Sequence, residues 1–179
     1  MKGMVFTEFL EMVEDQFGFE TADKIIENSD LASGGVYTSV GTYHHSEMVQ
    51  LVSNLSKESE INIEDLLQAF GKHLFSQFAS GYGRFFEDVT DSFKFLSGIE
   101  NYIHVEVKKL YPDAELPTFE IETKSDNELI MLYKSERGFA DFAQGLILGC
   151  ITHFKEDVQI QREDLNGTKE VRFTLQRNK

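Results

Sequence analysis

The chain has 179 residues, 17 basic against 31 acidic, and a formal net charge of −14. That length suffices for one domain with a substantial core, and the acidic balance argues against nucleic acid, whose phosphates need Lys and Arg, and against anionic membrane surfaces. The single cysteine, Cys150, excludes an intrachain disulfide and a zinc site built from several thiolates. Sixteen Phe and no Trp make an aromatic-rich interior, one that suits a large flat guest as well as plain packing. A basic protein partner would suit the charge.

Residues 4–17 read as a helix, with Val5, Phe6, Phe9, Leu10, Val13 and Phe17 at helical spacing and Gly18 as its stop. Glu8, Glu11 and Glu14 inside it are foreign to a signal peptide. No apolar run reaches transmembrane length, so the expected compartment is the cytoplasm. Thr21 reads as the N-cap of a short helix to about Asn28, and Ser33-Gly34-Gly35 opens a loop through Gly41. A third helix runs from Ser46 to about Ser56. Asn62 and Asp65 form a capping pair for a longer helix carrying Leu66, Leu67, Phe70, Leu74, Phe75 and Phe78, broken at Gly81-Tyr82-Gly83. Phe85, Phe86, Val89, Phe93 and Leu96 predict a further helix, closed by Gly98.

Gly98 to Tyr111 predicts the next helix, with Ile99, Ile103, Val107 and Leu110 as its core stripe. His104 lies about 100° round from Ile103, on a face shared with Glu100, Val107 and Tyr111. Pro112 stops this helix. The period then changes to two: Phe119–Glu122 and Leu129–Ser135 predict strands around Ser125-Asp126-Asn127. Gly138 to Phe154 is helical again, and two alternating segments flank Asn166-Gly167, a strong hairpin signal. Helices followed by an antiparallel sheet with packed helices make an α+β fold, expected as one domain over 1–179.

Two features point to chemistry. In an extended segment Tyr133, Ser135 and Arg137 share a face, offering two hydroxyls and a guanidinium fork suited to a pair of carboxylates. His104 is a helix histidine at the edge of an apolar stripe. Together they form what haem requires, one axial ligand and anchors for two propionates. From residue types alone, a core histidine and a solvated strand end stay open. His44, His45, His73 and His153 show no metal-ligand spacing. No nucleophile elbow, phosphate loop or dinucleotide fingerprint is present, so the chain is not read as an enzyme.

Met1-Lys2-Gly3, His104, Pro117 and Tyr133-x-Ser135-x-Arg137 together resemble the H-NOX family of haem nitric oxide/oxygen binding domains, over essentially the whole chain. The resemblance implies an N-terminal helical subdomain followed by a four-stranded antiparallel sheet, with haem b buried between them. It implies His104 as the axial iron ligand, propionate binding by Tyr133, Ser135 and Arg137, and Pro117 pressing on the porphyrin. Val5, Phe78 and Leu146 would pack on the ring. Oxygen-binding members carry a distal tyrosine with polar supports; those places fall here on Phe142, Leu74 and Phe9, all apolar. The implied ligand is therefore nitric oxide, with carbon monoxide also expected to bind. The implied signal is release of His104, read by a separate histidine kinase or cyclic-dinucleotide enzyme. Two alternatives stand: an oxygen or redox sensor on the same scaffold, and a cofactor-free protein-interaction module.

Overall fold

The computed structural model describes residues 1–178. Apolar residues three and four apart on α1 (Gly3–Phe17) bury Phe6, Phe9, Met12 and Val13. Gly18 takes φ 86°, a left-handed turn that lets α2 (Phe19–Glu27) start at once. Thr21 is therefore not an N-cap: it lies inside α2, and its hydroxyl donates to the Phe17 carbonyl at 2.9 Å. α3 (His45–Ser59) is capped by His44, whose Nδ1 accepts from Ser46 N at 3.3 Å. Asn62 stands at the cap position of α4 (Ile63–Gly81), but its side chain makes no capping bond.

The predicted helix over Phe85–Leu96 does not form as one element. A single tight turn at Gly83–Phe85 is followed by irregular chain, and α5 (Ser92–Ser97) begins only after Asp91, whose carboxylate accepts from Lys94 N at 3.0 Å. A cap inside an apolar run outweighs its helical period. Phe85, Phe93 and Phe95 are buried all the same.

The predicted histidine helix also differs. A widened turn with i→i+5 bonding occupies Ile99–Ile103, and a regular helix, α6, runs over His104–Leu110. None of its expected stripe is sealed: Leu110 is 49% exposed and Ile99, Ile103 and Val107 are half-buried. The extra residue per turn rotates the stripe away from a single inward face.

β1 (Thr118–Lys124), β2 (Glu128–Lys134), β3 (Val158–Asn166) and β4 (Glu170–Arg177) form one antiparallel sheet in the order β1-β2-β4-β3. Leu129, Met131, Tyr133, Val171, Phe173 and Leu175 alternate inward and are buried. α7 (Ala140–His153) lies between β2 and β3 in sequence and packs along α4. The two backbones come so close that a Cβ at Gly71 would strike the Phe142 carbonyl, and one at Gly145 the Gln68 carbonyl.

Two apolar clusters result. One joins α1–α4 with Phe139 and Phe142; the other joins the sheet with α5, α7 and the far end of α4. α4 and α7 contribute to both, so the boundary between the clusters runs across these two helices. No helix of the described residues is long and apolar enough to cross a membrane.

Candidate functional site

His104 opens α6, directly after the widened turn, with its side chain 14% exposed. Its ring centroid is 6.2 Å from that of Phe119 on β1, and Phe119 is 5.5 Å from Tyr133 on β2. The Nδ1 atom is 3.0 Å from Glu100 Oε1 one turn back, which leaves Nε2 as the nitrogen available to a metal. Burial disfavours the imidazolium and prevails over the opposing pull of the Glu100 carboxylate, so the histidine pKa is lowered. A neutral imidazole is the form that ligates metal.

Tyr133, Ser135 and Arg137 are brought together, but not by strand alternation. β2 ends at Lys134, and the chain turns through residues 135–138, with Gly138 N donating to Ser135 O at 3.3 Å. Tyr133 is buried between Phe119 and Phe173. Burial raises its pKa, against the Ser135 hydroxyl and the Phe139 backbone, which stand beside the phenol. Ser135 Oγ accepts from Arg137 N at 3.3 Å. Gly138 is needed here for its φ of 67° and because a Cβ would lie 2.7 Å from Thr168 Oγ1. The close neighbour is thus the β3–β4 turn.

The Arg137 guanidinium donates to the Glu115 carbonyl at 3.1 Å and pairs with the Glu115 carboxylate. The same segment is tied at Asp113, which accepts from Lys2 Nζ at 3.2 Å and from Thr42 Oγ1 at 2.8 Å. Pro117 follows, half-buried, one residue before β1. The Met1 amine donates to Tyr43 O at 2.7 Å. His45 has its pKa lowered by burial, then by His44, Arg137 and the amino terminus, so three basic groups share one neighbourhood. Glu100, Glu115, His45 and the terminal amine were not singled out from sequence as site residues. Only Glu100 carried a signal, its i,i+4 spacing to His104.

On the other side Phe9 meets Phe70 edge-on at 5.2 Å, and Phe70 stacks on Phe142 at 4.9 Å. Val5, Leu74 and Phe142 are half-buried against the helical cluster. Phe78, Ile103 and Leu146 are half-buried against the sheet cluster. Their neighbours Phe9, Phe70, Phe75 and Ile147 are sealed. Partly covered apolar side chains at the edges of both clusters, a histidine with Nε2 left over, and basic groups beside two hydroxyls are of the chemistry that holds a haem.

The family model described as haem-NO-binding matches residues 2–162. The chain belongs to the haem-NO-binding family. Haem is the cofactor of these H-NOX domains, which serve as gas-sensing modules in signal transduction. The chain is 48% identical to the ferrous, unliganded A71G mutant of the K. algicida H-NOX protein, covering 100% of this chain and 97% of that one with a TM-score of 0.96. The Shewanella woodyi H-NOX structure, described as IWP-051-bound in the Fe(II)CO state, is 45% identical with a TM-score of 0.85, covering 99% of this chain and 95% of that one. The S. oneidensis H-NOX protein in the Fe(II)NO state is 27% identical, covers 100% of both chains, and has a TM-score of 0.89. Soluble guanylate cyclase 89Db of Drosophila melanogaster is 26% identical over 147 residues, or 76% of this chain. The H-NOX chain spans only 20% of the length of that curated relative.

Proposed function

We propose that the chain is a cytoplasmic nitric oxide sensor, acting as one haem-binding domain and not as an enzyme, and that it signals to a separate protein. Haem, when bound, would supply a ferrous iron able to take a diatomic gas. His104 would hold the iron through Nε2, since Nδ1 faces Glu100. Tyr133, Ser135 and Arg137 receive the propionates, and Pro117 presses on the ring. Val5, Phe78 and Leu146 pack against the macrocycle.

The observation that carries the choice of gas is the packing of Phe142, Phe70 and Phe9 into one aromatic run. Bound dioxygen gains from a hydrogen-bond donor, by about 1–1.5 kcal/mol, roughly five- to tenfold in affinity. Phe142, Leu74 and Phe9 offer none, whereas nitric oxide depends on its bond to iron. The S. oneidensis relative in the Fe(II)NO state and the S. woodyi relative in the Fe(II)CO state support the same ligand range here. His104 opens α6, so loss of its hold on the iron would free that helix to shift, a local event that biases the wider structure. A histidine kinase or a cyclic-dinucleotide enzyme is the kind of partner proposed.

The absorption spectrum of ferrous protein, with and without nitric oxide and then in air, tests this. We expect a Soret shift with nitric oxide and no stable oxy spectrum. A lasting oxy spectrum would favour the oxygen-sensing alternative and overturn the choice of gas.

A further inference from the structure

We propose that Glu100 is the positioning residue for His104: its carboxylate holds the imidazole by Nδ1 and sets how firmly Nε2 grips iron. The inference rests on the proposed role of His104. Glu100 Oε1 stands 3.0 Å from Nδ1 and accepts the backbone N–H of Phe119 at 2.8 Å. A surface ion pair between residues four apart leaves both side chains free to wander. Here the carboxylate is pinned by a backbone donor of β1, and the imidazole is mostly covered. The widened turn is held by His104 N–H bonding to the Ile99 carbonyl, which fixes where residues 100 and 104 stand relative to each other.

The physical effect follows from the acceptor's charge. An Nδ1–H that donates to a carboxylate makes Nε2 a stronger donor to metal, and a charged acceptor acts more strongly than a carbonyl. Glu100 therefore opposes release of His104. Because one oxygen serves both partners, any swing of His104 also disturbs the bond to Phe119, two residues beyond Pro117. The release event thus has a direct path into β1.

Glu100→Gln keeps an oxygen for Phe119 N and removes the charge. Ferrous Glu100→Gln protein, examined by resonance Raman spectroscopy, should show the iron–histidine stretch at lower frequency than wild type. Its His104 should leave roughly 10-fold faster on nitric oxide addition. An unmoved band in haem-loaded Glu100→Gln overturns the proposal, while a wild-type protein without any iron–histidine band overturns the role of His104 beneath it. A second measurement needs no change at position 100. In His104→Gly, free imidazole should bind roughly 10-fold tighter than 1-methylimidazole, which has no N–H to give to Glu100. Equal affinities would also overturn it.

Discussion

Replacing Arg137 by Ala tests the propionate clamp quantitatively. The Arg137 side chain is 20% exposed, so its guanidinium is largely out of water, whereas the Glu115 side chain it engages is 82% exposed. A charge-assisted bond to a propionate at such a site contributes about 1.5–3 kcal/mol. Haem binding displaces or shares the existing pair with Glu115. Solvent screens that pair, which leaves it worth no more than about 1 kcal/mol. The difference, about 0.5–2 kcal/mol, corresponds to haem loss roughly 2- to 30-fold faster. Transfer of haem to excess apomyoglobin, followed at the Soret band, measures it. Arg137→Lys should fall between, because an ammonium keeps charge but loses the planar fork. A rate for Arg137→Ala within twofold of wild type would refute the assignment of this side chain to a propionate.

His104→Gly should lose its iron–nitrogen bond and regain it with free imidazole; ferrous spectra unchanged from wild type would refute ligation. Phe142→Tyr should lengthen the life of any oxy complex by about tenfold, and flash photolysis in air-saturated buffer would read the change or its absence. The pH dependence of stability should carry a contribution from Asp91. Burial alone would raise its pKa, but the Lys94 backbone N–H and Arg177 prevail and hold it lowered. A lowered folded value means stability present above the unfolded carboxylate pKa of about 3.9 and lost as pH falls through the folded value. Urea unfolding of wild type and Asp91→Asn should therefore differ at pH 7 and converge in acid; a constant difference would count against it.

The elements with a clean period were legible. α1, α4, α7 and all four strands carry apolar residues at spacings their local geometry demands, and these elements lie where the period places them. Single-residue effects were not. Asp91 breaks an apolar run into loop and short helix, because one side-chain cap competes with period alone. Gly18 starts α2 two residues before Thr21. The turn after Lys134 carries Ser135 and Arg137 off the strand, so their grouping with Tyr133 depends on a bend and not on alternation. Glu115 and the amino terminus reach Arg137 and His45 only through tertiary placement, about which spacing is silent.

The segment between the two prolines is strapped down at Asp113 and Glu115 by Lys2 and Arg137. The acidic end of each tie is open to water, at 60% and 82% exposure, so mobile ions reach both. Counterions at about 0.1 M shorten the reach of exposed charges to about 10 Å, and the strap loosens accordingly. Buffer composition thus becomes a control on how tightly residues 113–116 are held against the amino terminus and Arg137, and dilute solution would overstate that hold relative to about 0.1 M salt.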